Sequence, residues 1–88
     1  MLRIPEDLQR FCDGQAEVPF QGKTVCEAVN YVCHKYPALR ERLLDSDGQL
    51  HAHFLILHDG QPLSGPTALE SSVGADDTIE IYLIASGG

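Results

Sequence analysis

The chain has no tryptophan, a single methionine, three cysteines and no Lys or Arg after Arg42 in its 88 residues. No apolar run approaches the ~18 residues needed to cross a bilayer. The opening "MLRIPED" meets a proline and two acids almost at once, which does not fit a secretory leader. A cytoplasmic protein with reduced thiols is therefore expected. Cys12, Cys26 and Cys33 are an odd number with no C-x-x-C spacing, so no disulfide framework is indicated. Internal repeats, low-complexity tracts and linkers are also absent. A chain of this length is one domain with one modest core.

The missing cations narrow the partners. All six basic residues (Arg3, Arg10, Lys23, Lys35, Arg40 and Arg42) precede position 43, whereas seven acids follow it, and the net charge is −7. Nucleic acid is a poor partner for such a chain, because phosphate contacts need clustered cations. A basic protein surface is the natural complement and would speed association. Solubility alone is the plainer reading of the same acidity.

What is present reads as alternating strands and helices. Leu2 to Ile4 is a short strand halted by Pro5. "DLQRFCDGQ" is a polar segment with an Asp13-Gly14 turn, and its Cys12 is expected to be accessible. Ala16, Val18 and Phe20 alternate onto one face of a second strand, which Pro19 confines to an edge or an irregular position. Thr24 and Glu27 are spaced as a capping box that opens a helix. Val25, Cys26, Ala28, Val29, Val32, Cys33 and Tyr36 fall on one face of that helix. Pro37 ends it and begins a shorter helix in which Leu39 and Leu43 face the same way. "LHAHFLILHDGQPL" is a strand, an Asp59-Gly60 turn and a short return. Ser64 to Asp77 is loop-like. "TIEIYLI" alternates, with Ile79, Ile81 and Leu83 inward and Glu80, Tyr82 and Ile84 outward.

One sheet with one main helix on one face accounts for this order, an α+β fold. It leaves the second face of the sheet uncovered. "FLIL" at 54–57 is apolar on both sides of its strand, and Tyr82 and Ile84 point away from the core. Such a face is either covered by something else or serves as an interaction surface.

Catalytic constellations are scarce. Cys33 and His34 are adjacent on a helix and so do not face each other, and no base stands near Cys12. His51 and His53 share a strand face, but His58 falls on the opposite face, so no metal site is expected. Gly22-Lys23-Thr24 lacks the upstream glycine and spacing of a phosphate loop. The chain offers no catalytic residue, and it is read as not being an enzyme. What remains is the pair Gly87-Gly88, directly after an apolar strand. Glycine permits close backbone approach, which suits a tail that must enter a narrow site, although a frayed end has the same composition.

The order "IPEDLQRF", "GKTVCEAV", "KYPALRERLLDSDGQL", "LHDG" and "ADDTIEIYLIASGG" resembles the ThiS/MoaD-type ubiquitin-like sulfur carriers along the whole chain. The resemblance implies a β-grasp domain over residues 1–86, with a mixed four- to five-stranded sheet and a flexible, exposed diglycine tail at 87–88. It implies that Gly88 is adenylated by a ubiquitin-activating-type enzyme using ATP. Sulfur from a sulfurtransferase or desulfurase then gives a thiocarboxylate that supplies a biosynthetic enzyme, with no cofactor bound by the carrier itself. Gly87 and Ser86 would thread into the partner, and Tyr82, Ile84, Leu55 and Leu57 would dock on it. The segment from Pro37 to Leu50 is longer than in compact thiamine-type carriers and looks more like the molybdopterin or cysteine-biosynthesis type; a natural-product pathway is also open. Asp59-Gly60 replaces the Asn-Gly, and Leu83-Ile84 the proline, of many members. A ubiquitin-like modifier forming isopeptides, a non-covalent interaction module and a regulatory small subunit are the other readings.

Overall fold

The computed structural model describes residues 1–51, 54–63 and 68–84. Strand β1 (Leu2–Arg3) runs into a 3-10 helix (Glu6–Cys12), then β2 (Glu17–Val18), α1 (Val25–Lys35) and α2 (Pro37–Leu43). Strands β3 (Phe54–His58) and β4 (Gln61–Leu63), a short 3-10 turn (Ala68–Glu70) and β5 (Ile79–Leu83) complete the order. The five strands form one sheet in the order β2-β1-β5-β3-β4. β1 and β5 are parallel and the other pairs antiparallel, so the sheet is mixed as expected.

Thr24 caps α1: its Oγ1 accepts the Glu27 N–H at 3.2 Å. The Glu27 carboxylate accepts from Lys23 N–H at 3.1 Å, one residue before the cap itself. The chain can fold back this tightly because residue 22 is glycine. Its φ is +139°, and a Cβ there would lie 2.6 Å from the Cβ of Glu27. Val25, Ala28, Val29, Val32 and Cys33 are buried, the i, i+3, i+4, i+7, i+8 stripe of a helix lying on a sheet. Pro37 at the first helical position starts α2, which buries Leu39 and Leu43 one turn apart. These side chains meet Leu2, Val18, Phe54, Ile56, Ile79 and Ile81 in a single core. β2 is an edge strand, which is where Pro19 can follow it without costing a ladder hydrogen bond.

Three local expectations are corrected. The segment after Pro5 is not simply polar: Glu6–Cys12 is a 3-10 helix that buries Leu8 and Cys12, and Cys12 has no exposure. Leu8 and Cys12 turn inward, while Phe11 is partly buried and Arg10 and Arg42 each stand 5.0 Å from the centre of its ring, the second of them tying this helix to α2. Ala16 is exposed, just outside the two-residue β2. Leu83, expected in the core, is 43% exposed. The reason is register: β1 reaches along β5 only as far as Glu80, so Leu83 has β3 beside it on one side alone.

Among the described residues no helix is long and apolar enough to cross a membrane. Leu39→Ala should cost about 2–5 kcal/mol, the range for truncating a fully buried leucine. Ile84→Ala, at a half-exposed position, should stay within about 0.5 kcal/mol of the parent. Chemical denaturation of the two variants checks both.

Candidate functional site

The candidate site is the outer face of the sheet where β5 ends. Ile79 and Ile81 point into the core, so Glu80 and Tyr82 point away from it. Leu55 lies opposite Tyr82 and Leu57 opposite Glu80 in the β3–β5 register, which puts all four on the same outer face. Tyr82 and Ile84 are 49% and 47% exposed, and Leu55 and Leu57 are half-buried. Of the residues singled out from the sequence, the fold thus gathers Tyr82, Leu55 and Leu57, with Ile84 just past the strand end. Ser86, Gly87 and Gly88 lie outside the described residues.

The face has two halves. One row runs Glu17, Arg3, Glu80, Leu57, Pro62 across all five strands. Its first three members are charged: Arg3 stands 3.8 Å from Glu17 and 3.2 Å from Glu80. Its last two are apolar. Tyr82 sits at the boundary, and its hydroxyl donates to the Glu80 carboxylate at 2.8 Å. That hydrogen bond, and then the charge behind it, holds the phenol above its ordinary value. A shallow groove of about 310 Å³ runs beside this point between the end of β1 and the end of β5, lined by Arg3, Pro5, Glu6, Glu80, Tyr82 and Leu83.

The thiols offer no nucleophile to set against this surface. Burial pushes Cys33 up to about 11 and also raises Cys12, so both stay protonated at neutral pH. Cys26 is half-buried, and its sulfur accepts from the Asn30 amide at 3.2 Å.

A cluster that sequence reasoning missed lies at the other end of β5. His58 Nε2 is 2.7 Å from Asp77 Oδ2 and 3.6 Å from Asp59 Oδ2. The cluster does not include His51, and His53 lies outside the described residues. The only sequence signal for it was the Asp59-Gly60 turn. Both residues have positive φ, 50° and 85°, as a two-residue hairpin loop requires, and the turn fixes Asp59 beside Thr78.

No protein-family model matches the sequence, and no curated protein matches it significantly. Solved structures do match. A chain of the Amycolatopsis orientalis BexX/CysO complex superposes with a TM-score of 0.86 at 25% identity, covering 99% of this chain and 97% of that one. Mycobacterium tuberculosis CysO gives 0.85 at 24% identity, with 96% and 97% covered. SAMP1 from Haloferax volcanii, a small archaeal modifier protein, gives 0.78 at 26% identity, with 99% and 96% covered. The chain has the ubiquitin-like β-grasp fold of the ThiS/MoaD type. Its structural neighbours are small carrier and modifier proteins rather than enzymes.

Two measurements test the electrostatics. Replacing Glu80 by Gln removes the charged acceptor, so the Tyr82 phenol should titrate lower; ring carbon shifts followed against pH would detect this. A Tyr82 midpoint unmoved by the substitution would refute the pairing. Asp77 is held below its ordinary 3.8, first by the Gly74 amide and then by His58. A depressed carboxylate adds stability that is present above its unfolded value and is lost as pH falls through the folded one. Asp77→Asn should therefore flatten the loss of stability below about pH 4.

Proposed function

We propose that this protein is a sulfur carrier that acts through the carboxylate of Gly88. The carrying observation is mechanical. The strand that leads toward Gly88 is the middle one of five, and its last two residues, Tyr82 and Leu83, are exposed together with Ile84 just past it. A firmly held strand delivers the tail, and an apolar surface beside its exit gives a partner something to grip. The fold shared with CysO and SAMP1 supports the same reading.

In this proposal a ubiquitin-activating-type enzyme, working in the cytoplasm, uses ATP to form the Gly88 acyl-adenylate and releases pyrophosphate. A persulfide from a sulfurtransferase or desulfurase attacks the acyl carbon and expels AMP. A second thiol then cleaves the S–S bond, which leaves a thiocarboxylate on Gly88. That group donates sulfur to a biosynthetic enzyme of the molybdopterin, cysteine or natural-product type. Ser86 and Gly87 thread the partner's site, while Tyr82, Ile84, Leu55 and Leu57 dock outside it. The carrier holds no cofactor of its own; ATP belongs to the activating enzyme. The acids of residues 43–84 favour a basic partner surface.

The likeness to a small archaeal modifier protein favours a second reading, an isopeptide between Gly88 and a lysine. One experiment separates the two. The chain is incubated with an activating enzyme of proven competence, ATP, a persulfide donor and a reducing thiol, and its intact mass is measured. The carrier reading expects a gain equal to the difference between one sulfur and one oxygen atom, abolished on deleting Gly88. Lysine-linked conjugates without that gain support the modifier. An unchanged mass and no conjugates overturn both.

A further inference from the structure

The β3–β4 turn and the loop entering β5 bring three metal-ligating groups to one point. We propose that His58, Asp59 and Asp77 form a binding site for a divalent transition cation of the zinc type. The site lies at the opposite end of β5 from the docking residues, and it does not depend on the carrier reading.

The ligand atoms all lie within 4.8 Å of one another. Each carboxylate is fixed by a backbone amide, that of Asp59 from the loop entering β5 and that of Asp77 from within its own loop. Asp59 Oδ1 accepts from Thr78 N–H at 2.8 Å, which leaves Oδ2 turned toward the imidazole. Asp77 Oδ2 accepts from Gly74 N–H at 2.7 Å. Outer partners of this kind orient ligands in metal sites. A tetrahedral ion with bonds of about 2.0–2.1 Å needs ligand atoms about 3.3 Å apart. The His58–Asp59 separation of 3.6 Å is close to that edge. The His58–Asp77 separation of 2.7 Å is shorter because a hydrogen bond joins them, and it must open by roughly half an ångström on binding. Binding must also move the Nε2 hydrogen to Nδ1 or release it, and must bring the Asp59 and Asp77 oxygens, which lie within 4.8 Å of each other, to the same spacing.

Charge argues in the same direction. Among the described residues no Lys or Arg pairs with Asp59 or Asp77. The amino-terminal ammonium donates to the Asp77 backbone carbonyl at 2.9 Å, and its charge offsets that of the Asp77 carboxylate only as the smallest of the effects that favour the ionised form. With a neutral imidazole the two carboxylates carry a charge that a dication would balance. Imidazole with two carboxylates suits zinc and its transition-metal neighbours, whereas calcium and magnesium favour oxygen alone. Asp59 is exposed and the other two are half-buried, so water can complete the coordination. Binding requires a free lone pair on Nε2, with the imidazole hydrogen on Nδ1.

The test is a titration of the isotopically labelled full chain with Zn²⁺, followed by NMR and calorimetry, with Mg²⁺ as the comparison cation. Saturable binding of one Zn²⁺ is expected, with the largest shifts at Gly74, Asp77, Thr78, His58 and Asp59. Mg²⁺ should leave these signals in place. Asp59→Asn keeps an oxygen for the Thr78 amide, so it should retain the fold, as its spectrum will show, and weaken Zn²⁺ by at least about tenfold. His51→Gln and Cys26→Ser should bind as the parent does. The proposal is overturned by an absence of saturable binding, by shifts centred on His34, His51 or Cys26, or by unchanged affinity in both Asp59→Asn and His58→Gln.

Discussion

Strand β5 hydrogen-bonds to β1 on one side and to β3 on the other, and its register sets the rest of the molecule. Pairing Leu2 with Ile79 and Ile56 with Ile81 puts the largest aliphatic side chains of three strands on the same face. That face is the one α1 covers with Val25, Val29 and Val32, while α2 adds Leu39 and Leu43 to the same core from beside α1 and the first 3-10 helix. A slip of one residue would turn Glu80 and Tyr82 into the core and Ile79 and Ile81 out of it. The burial of two isoleucines, each worth about 1.5–3 kcal/mol, thus opposes any other placement of the strand.

That choice also builds the outer face. Side chains alternate, so every residue that β5 does not spend on the core is presented to the other side. Arg3 and Glu80 are neighbours because Leu2 and Ile79 are, and the Glu17–Arg3–Glu80 row is the reverse of a core row. Exposed ion pairs of this type contribute little to stability, about 0–1 kcal/mol. Their role is better sought in where they place Tyr82. Glu80 accepts from both Arg3 and the Tyr82 hydroxyl, so the phenol is steered at the border between the charged and apolar halves.

Much of this was legible in the sequence because it depends on period and punctuation. The stripe of α1, the cap at Thr24, the break at Tyr36-Pro37 and the Asp59-Gly60 turn are local signals with local causes. The alternation in "TIEIYLI" gave the facing of Ile79 through Tyr82 correctly and failed at Leu83, since burial at a strand's last residue depends on how far its neighbours extend. The buried Cys12 was missed for a related reason. A 3-10 helix leaves a weak periodic trace, and only contact with α2 shows that Leu8 and Cys12 are its inner side. The His58–Asp59–Asp77 cluster joins positions nineteen apart through strand register, and no local pattern encodes that.

The two ends of β5 are held differently. At its entry Ile79 N–H donates to Met1, Asp59 N–H to Thr78, and His58 bonds to Asp77, while β1 and β3 flank the strand on both sides. At its exit Tyr82 and Leu83 have β3 alone beside them and their side chains stand in solvent. Opening free energies follow such differences in hydrogen bonding and burial, so the strand loosens from its exit before its entry. Under the carrier function proposed above, a partner that draws the tail into its own site gains from this order. The end it pulls on yields first, and the end that secures the strand in the core is the last to give way.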